Sequence, residues 1–251
     1  MTTLVTGGGR GIGRAIALAF AEPGAVVAVA ARTRTELENT AAAIHARGAQ
    51  AVVLALDISD EDAVARGFEK LQAVTPALDV LVNNAGVGGG QPVDQTDTGT
   101  WRRVIDTNVW GTFLVTRLAV PLLGDGGRII NMSSVLGRFG VPGYTAYCAS
   151  KHAIIGFTRA LALELVKRGI TVNAICPGWV DTDMATDGMR IGANALGMTF
   201  DQFRAQAIGA VPIGRIIQPD EVASLVRFLA SPQAAAITGQ TYNICGGQAM
   251  D

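Results

Sequence analysis

Cysteine, uninterrupted apolar sequence and net charge are all scarce in this chain of 251 residues. Its three cysteines, Cys148, Cys176 and Cys245, are odd in number and widely spaced. This pattern offers neither a disulfide framework nor a Cys-x-x-Cys metal site, so we expect a protein of the reducing cytoplasm that needs no metal. The early apolar run from Ala25 to Ala31 is far shorter than the roughly 18 residues of a membrane span. Glycines also interrupt the N-terminal pattern that a signal peptide would require.

The charges nearly cancel, with 20 basic and 21 acidic residues and a net charge of −1. Such a chain has no overall field that would attract nucleic acid or an anionic membrane. We therefore expect a small-molecule partner, with no nucleic acid and no membrane. The hydrophobic content of 49% is enough for one sizeable core, and the length is somewhat short for two domains. The prediction is a single domain over residues 1–251.

Short apolar runs rich in Val, Ile, Leu and Ala alternate with longer segments of helical period. Continuous apolarity is typical of strands that helices cover on both faces. The alternation predicts an α/β protein with a doubly wound parallel sheet of the Rossmann type. The predicted strands are Thr3–Thr6, Val26–Ala30, Ala51–Leu56, Leu78–Val82, Arg128–Met132, Thr171–Ile175 and Gln240–Ile244.

The connections between strands carry further signals. Thr33-Arg34-Thr35-Glu36 has the spacing of a capping box at the start of a helix, and Ser59 with the three acids after it has a similar pattern. Residues 181–212 form the one connection that looks irregular. A connection of that length is usually a lid or a binding loop. We interpret it as a substrate-binding lid, with a plain surface excursion as the alternative.

A glycine-rich turn, residues 6–13, follows the first predicted strand. Its glycines allow a tight turn and a helix that starts near Gly11, with free N–H groups that face an anion. We predict that a dinucleotide binds here. The predicted contacts in this turn are Gly7, Arg10, Gly11, Ile12 and Gly13.

Charge about 20 residues further on would identify the dinucleotide, because an acid there indicates NAD and a basic residue indicates the 2′-phosphate of NADP. The second strand leads into Arg32 and Thr33, and the first acid after it is Glu36. Arg10 and Arg32 could hold a doubly charged phosphate between them. We therefore predict NADPH, with Thr33 as a further contact. The alternative is that both arginines are solvated surface charges.

The other predicted cofactor contacts lie where strands end, which is where such sheets bind ligands. The sequence leaves two roles open for Asp57, which could accept from the adenine amino group or cap the next helix. Small residues after the fourth strand would let a ribose approach the backbone, and the turn after the sixth strand offers groups to a nicotinamide amide. These contacts are Asp57, Ile58, Asn84, Ala85, Gly86, Pro177, Gly178, Val180 and Thr182.

Tyr147 and Lys151 are four residues apart in a predicted helix, so their side chains share one face. A cation about 4 Å from a phenol, at an effective dielectric of ~20, contributes roughly 4 kcal/mol, or about 3 pKa units. We therefore expect Lys151 to lower the pKa of Tyr147 toward neutrality, which suits a general acid. A surface tyrosine beside a solvated lysine is the alternative for so common a spacing.

Two more residues complete the predicted catalytic group. Ser134 follows the fifth strand, and its hydroxyl could hold a substrate carbonyl beside Tyr147, whereas Ser133 would point the other way. Asn108 falls within a predicted helix, where asparagine is a poor helix former. One reason for its presence would be to hold a water that relays protons to Lys151.

With these motifs, the sequence resembles the short-chain dehydrogenase/reductases over essentially its entire length. The resemblance implies a Rossmann-type fold and a catalytic tetrad of Asn108, Ser134, Tyr147 and Lys151. It implies that Tyr147 acts as acid or base, that Ser134 polarises the carbonyl and that Asn108 supports a proton relay. Lys151 would hold the nicotinamide ribose and lower the tyrosine pKa. The resemblance also implies a homotetramer, or a homodimer.

Residues 140–184, 211–215 and 243–247 resemble the ketoreductases of aromatic polyketide synthesis. The chain differs from them at 88–90, where they have Pro-Gly-Gly, and at Ala210, where they have a basic residue. We predict an NADPH-dependent reductase that takes a ketone or an acyl thioester, and a 3-oxoacyl thioester reductase stays open. The alternatives are an NAD-dependent secondary alcohol dehydrogenase and a non-catalytic dinucleotide-sensing protein.

Overall fold

A computed structural model describes residues 1–250, which include a single seven-stranded sheet. Every pair of neighbouring strands is parallel, and the order across the sheet is β3-β2-β1-β4-β5-β6-β7. The predicted doubly wound sheet is therefore confirmed. The strands are β1 (Thr2–Thr6), β2 (Val26–Ala31), β3 (Gln50–Ala55), β4 (Leu78–Asn83), β5 (Leu123–Met132), β6 (Thr171–Pro177) and β7 (Thr241–Ile244).

Helices cover both faces of this sheet, and no helix among residues 1–250 is long and apolar enough to cross a membrane. The α-helices are α1 (Gly11–Ala19), α2 (Arg34–His45), α3 (Glu61–Gln72), α4 (Thr98–Ile105), α5 (Gly111–Ala119), α6 (Thr145–Leu165), α7 (Asp183–Ala195), α8 (Phe200–Gly209) and α9 (Pro219–Leu229).

Strand β2 shows why continuous apolar runs become buried strands. Val27 and Val29 point into the core on the face covered by α1, α2 and α9, whereas Ala28 and Ala30 point into the core under α3, α5 and α6. All four side chains are buried. Because successive side chains in a strand point to opposite faces, a strand covered on both sides must be apolar at every position.

Two helix starts differ from the sequence prediction. Thr33 is the N-cap of α2, but its side chain makes no capping hydrogen bond, so the predicted capping box is wrong. At α3 the cap is Asp60 and not Ser59, since the Asp60 carboxylate accepts from the backbone N–H of Ala63. Both helices nevertheless begin within a residue or two of the predicted place.

The prediction of an irregular connection at 181–212 is wrong, because α7 and α8 occupy most of it. Thr182 caps α7 by accepting from the N–H of Ala185, and Thr199 forms a capping box with Gln202 at α8. A glycine inside α7 permits the two helices to pack, since a Cβ on Gly192 would lie 2.3 Å from the ring of Phe203. We refer to residues 181–212 as the lid segment.

Strand order reverses between β1 and β4. From β1 the chain moves to β2 and β3 on one side, and from β4 it continues to β5, β6 and β7 on the other. The connections at the carboxyl ends of β1 and β4 therefore leave in opposite directions and open a crevice, which is where such sheets bind ligands. The predicted site residues lie at this edge, in the connections after the strands and in helices such as α1 and α6.

Candidate active site

The glycine-rich turn after β1 has the geometry predicted for a dinucleotide cradle. Gly7 and Gly11 have φ angles of 67° and 52°, which are unfavourable for residues with a side chain. A Cβ on Gly13 would lie 2.1 Å from the carbonyl oxygen of Gly7, so α1 packs directly against the turn. The turn thus places backbone N–H groups at the start of α1 next to the crevice, an arrangement that fits a diphosphate.

Side chains from neighbouring strands hold this turn in place. The Asn84 side chain donates to the carbonyl of Thr6 at 3.0 Å and to that of Gly7 at 3.4 Å. The Thr6 hydroxyl in turn accepts from the backbone N–H groups of Asn84 and Ala85, both at 3.0 Å. The side chain of Asn84 therefore positions the turn, which leaves the backbone of residues 84–86 as the part that could contact a ribose.

Arg10 and Arg32, the two arginines predicted to bind a phosphate, are exposed and lie beside acids. Arg10 is 3.1 Å from Asp183 and 3.9 Å from Glu36, and Arg32 is 3.9 Å from Asp57. Exposed pairs of this kind contribute little to stability, so both guanidinium groups are available to a more strongly charged ligand. Asp57 also accepts from the N–H and the hydroxyl of Ser59, so it stabilises its own turn, while Asp60 caps α3.

The remaining predicted contacts divide into backbone and side-chain positions. Ile58 is buried and packs against the position of Gly111, and Val180 is buried where it bridges to Ile217, so only their backbones could face a ligand. Gly178, just after β6, has no room for a side chain, since a Cβ would lie 2.9 Å from Cys245. Pro177 ends β6, and the methyl group of Thr182 lies next to Gly11, so the predicted residues meet around one crevice.

Ser134 and Tyr147 lie together at the carboxyl end of β5. The Ser134 hydroxyl accepts from the N–H of Leu136 and lies close enough to the Tyr147 phenol to lower its pKa. Ser133 points the opposite way, as predicted, and donates to the carbonyl of Lys151 at 2.8 Å. The alternation of two adjacent serines therefore brings one hydroxyl to the phenol and uses the other to anchor α6.

Lys151 is buried on the same side of α6 as Tyr147. Its Nζ donates to the carbonyl of Met132 at 2.9 Å and lies 5.5 Å from the centroid of the Tyr147 ring. A Cβ on Gly86 would lie 3.5 Å from this Nζ, so Lys151 also adjoins the turn after β4. The predicted pairing is present, and the alternative of a solvated surface lysine is wrong, since Lys151 is only 5% exposed.

The prediction that Lys151 lowers the pKa of Tyr147 toward neutrality is wrong for the protein without a bound cofactor. Burial raises the pKa of Tyr147 to about 12, although the nearby Ser134 hydroxyl acts in the opposite direction. Burial also lowers the pKa of Lys151 to about 8. The Coulomb argument omitted this loss of hydration, which disfavours both the phenolate and the ammonium ion.

Asn108 lies in a π-helical turn, Asp106–Trp110, between α4 and α5. Its side chain exchanges hydrogen bonds with Val87, accepting from the N–H at 2.8 Å and donating to the carbonyl at 3.0 Å. It also donates to the hydroxyl of Ser150, which donates to the carbonyl of Tyr147 at 2.8 Å. Asn108 thus connects the turn after β4 to the helix that carries the tyrosine.

A family model described as enoyl-(acyl carrier protein) reductase matches residues 7–249. The chain belongs to the short-chain dehydrogenase/reductase family. It is therefore an oxidoreductase that uses a nicotinamide dinucleotide on alcohol or ketone groups. The predicted family membership is confirmed. The family assignment supports an enzyme over the alternative of a non-catalytic dinucleotide-sensing protein.

Members of this family share both sequence and shape with the chain. A 3-oxoacyl-[acyl-carrier-protein] reductase of Synechocystis is 40% identical, covering 98% of this chain and 96% of that protein. A single-residue variant of actinorhodin polyketide ketoreductase, solved with NADPH, has a TM-score of 0.92 and is 37% identical over 98% of this chain and 96% of its own. NAD+-bound xylitol dehydrogenase also has a TM-score of 0.92, at 33% identity and 98% coverage of both chains.

Sequence reasoning missed two residues beside the short-chain dehydrogenase/reductase tetrad. Ser150 links Asn108 to Tyr147 from inside the Tyr-x-x-x-Lys motif, and only its small polar side chain at a buried helix position could have indicated this role. Tyr144 lies at the N-cap of α6, three residues before Tyr147. The spacing of the two tyrosines, which places them on one side of the helix start, was the available signal.

Proposed function

We propose that this protein is an NADPH-dependent ketoreductase in which Tyr147 donates a proton to the oxygen of the substrate as hydride reaches the carbonyl carbon. The observation that carries the proposal is the buried Lys151, whose Nζ lies 5.5 Å from the centroid of the Tyr147 ring and donates to the carbonyl at the end of β5. Ser134 lies beside the same phenol, so both hydroxyls can contact one carbonyl oxygen.

Each residue of the site has a part in this reaction. The glycine-rich turn would hold the diphosphate of NADPH, and the reduced nicotinamide would supply the hydride. Ser134 donates a hydrogen bond to the carbonyl oxygen and so polarises it, and Tyr147 transfers its proton to that oxygen. Lys151, which adjoins both Met132 and Gly86, holds the nicotinamide ribose and carries the positive charge that stabilises the resulting phenolate. Asn108 supports the resupply of a proton through water and Lys151.

The protonation state of the Tyr147 phenol fits the reductive direction. With a pKa of about 12, Tyr147 is protonated at neutral pH and can donate its proton. Alcohol oxidation requires the same group as a base, which means that the ionised form must first be stabilised. The protonated phenol is the form that ketone reduction requires, which supports reduction over the alternative of an NAD-dependent secondary alcohol dehydrogenase.

The preference for NADPH rests on Arg10 and Arg32, whose exposed ion pairs a phosphate can replace. A relative of known structure was solved with NADPH, and another binds NAD+. The carboxylate of Glu36 lies beside Gly9, 3.9 Å from Arg10, and it is the acid that an NAD-binding protein would use for the ribose hydroxyl. NAD is therefore the second candidate.

The test compares kcat/KM with NADPH and NADH while a panel of ketones and a 3-oxoacyl thioester is monitored by loss of nicotinamide absorbance. We expect kcat/KM to be higher with NADPH than with NADH. Arg32→Ala should lower kcat/KM with NADPH by about tenfold and leave kcat/KM with NADH unchanged. Arg34→Ala, two residues away with a similarly exposed side chain, is the matched control. Equal use of both cofactors, or a preference for NADH, would remove the assignment.

The substrate is proposed to be an apolar or aromatic ketone or a 3-oxoacyl thioester, by analogy with the 3-oxoacyl and polyketide reductases that the chain resembles. The lid segment lies beside the crevice, since Thr182 contacts Gly11 and Tyr144 reaches Gly188 of α7. We propose that it covers the substrate. A cytoplasmic location fits this chemistry, and all three cysteines are unpaired.

We further propose that the protein forms a homotetramer or a homodimer through α5 and α6, the helices next to Asn108 and Tyr147. Trp110 and Phe113 are stacked at 5.2 Å and remain exposed, and Leu163 on α6 is 79% exposed. Contiguous exposed apolar side chains mark interaction sites, and the stacked Trp110 and Phe113 form such a pair. Light scattering will give a multiple of the chain mass, and Leu163→Glu will reduce it; a monomeric wild type would contradict the proposal.

A further inference from the structure

Tyr144 joins three segments of the molecule. Its ring lies on Gly90 in the turn after β4, where a Cβ would be 2.7 Å from the ring carbon Cζ. Its hydroxyl donates to the carbonyl of Gly188 in α7 at 3.5 Å, the outer limit for such a bond. The residue itself is the N-cap of α6. The ring therefore spans the distance from the Gly90 turn to the lid segment.

A cavity of about 270 Å³ lies against the same elements. Its apolar wall includes Trp101 and Val104 of α4 and Ile191 of α7, and Asp97 and Thr100 are at its polar edge. The cavity also takes in Gly89, Gly90, Gln91, Thr96, Gly143, Thr145 and Ala146, so none of its lining residues carries a positive charge. The lining combines apolar side chains with uncharged polar groups and the carboxylate of Asp97, so an uncharged group fits it and an anionic one does not.

The position of Tyr144 sets it between this cavity and the catalytic group. Gly143 and Thr145, its two chain neighbours, line the cavity, and so does Gly90, on which its ring lies. On the other side, Tyr144 lies at the start of α6, three residues before Tyr147. A Cβ on Gly88 would meet no atom within 4 Å, so the turn has open space at this position.

We propose that Tyr144 is a specificity-determining residue, a partition that closes the side cavity to the substrate and so limits the size of the ketone. The inference rests on the proposed ketone reduction. If the ring is removed, the cavity joins the crevice and accepts an uncharged ring or chain attached to the carbonyl carbon. Tyr144 does not take part in the chemistry itself.

The experiment measures kcat/KM for 1-tetralone and cyclohexanone, two ketones that differ by a fused ring. Tyr144→Ala will raise the ratio of the two values by about tenfold, because the fused ring gains an apolar surface to pack against. Tyr144→Phe keeps the ring and will leave the ratio within about twofold of the wild type. Ile191→Trp, added to Tyr144→Ala, will fill the cavity and return the ratio toward its original value.

An unchanged ratio in a folded Tyr144→Ala variant would overturn the proposal, as would a gain that Ile191→Trp does not reverse. Thermal unfolding establishes that each variant is folded. If Tyr144→Ala does not fold, Tyr144→Leu takes its place, since leucine keeps apolar contact at the helix start but is too short to reach Gly188.

A second readout separates this proposal from the proposed function. Calorimetric titration of each variant with 1-tetralone measures binding without turnover. If no ketone is reduced but Tyr144→Ala binds 1-tetralone about tenfold more tightly than the wild type, the reaction assignment fails and the partition stands. If ketones are reduced and neither binding nor the ratio changes, the partition fails and the reaction assignment stands.

Discussion

The glycine-rich turn and the catalytic group are built by opposite means. At the turn, the backbone itself is the functional part, so positive φ angles and the absence of Cβ atoms determine the shape, as at Gly7 and Gly13. At the catalytic group, buried side-chain hydrogen bonds determine the shape, as from Asn108 through Ser150 to Tyr147. We therefore expect the glycine-rich turn to be disrupted by substitutions that add atoms, and the catalytic group by substitutions that remove them.

The largest effect is expected from the catalytic side of this comparison. Tyr147→Phe removes the proton donor and leaves the ring, so turnover should fall by about a thousandfold with little change in NADPH affinity. Stopped assays of ketone loss and fluorescence titration of NADPH measure the two quantities. Tyr242→Phe on β7 is the control and should keep full activity. Retained turnover in Tyr147→Phe would remove the tyrosine from its role.

The corresponding change on the cofactor side adds a single methyl group. Gly13→Ala places a Cβ 2.1 Å from the carbonyl of Gly7, and the turn must move to accommodate it. We expect NADPH to bind about tenfold to a hundredfold more weakly. Gly209→Ala at the end of α8 meets no atom within 4 Å and serves as the matched control. Unchanged NADPH affinity in Gly13→Ala would show that the turn does not depend on this close packing.

A smaller loss of kcat should follow when one hydrogen bond between Asn108 and Tyr147 is removed. Ser150→Ala breaks the connection between Asn108 and the Tyr147 carbonyl, so kcat should fall by about tenfold while NADPH affinity is kept. The control is Ser224→Ala, which removes a comparable hydroxyl from the exposed side of α9. Equal kcat values for the two variants would mean that the tyrosine is positioned by other contacts.

The smallest effect concerns pH. Because burial lowers the pKa of Lys151 to about 8, raising the pH through this value removes its positive charge. NADPH affinity should therefore weaken several-fold, by roughly 1 kcal/mol of lost interaction, between pH 7 and pH 9. Fluorescence titration at both values measures the change, and Lys151→Met should show the same affinity at both. A wild-type affinity that is constant over this range would contradict the assigned role.

The sequence was sufficient to predict the sheet and the pairing of Tyr147 with Lys151, because both depend on short-range patterns. Continuous apolar runs such as β2 follow from burial on both faces, and the spacing of Tyr147 and Lys151 follows from the helix repeat. The helices of the lid segment were missed although Thr199 and Gln202 have the capping spacing. The glycines within α7 do not break the helix, and Gly192 makes room for Phe203 of α8.

Electrostatics was the part that the sequence could not supply. The distance from Lys151 to Tyr147 follows from helix geometry, but the burial that dominates both pKa values depends on Met132, Gly86 and the strands around them. The same holds for Tyr144, whose ring is explained only by Gly90 and Gly188, residues far from it in the chain. These pKa values and the position of the Tyr144 ring therefore depend on long-range packing, which the spacing of residues in the sequence does not determine.

The π-helical turn at Asp106–Trp110 constrains how this chain can change in length. Within this turn, the Asn108 side chain is hydrogen-bonded to Val87. The residue that follows the turn, Gly111, packs against Ile58, and a Cβ on Gly111 would lie 2.7 Å from that side chain. Deleting one residue between these two anchors would convert the π turn into regular α-helix and change the rotation of one anchor relative to the other. Insertions and deletions in this segment are therefore incompatible with an intact site, even where every catalytic side chain is retained.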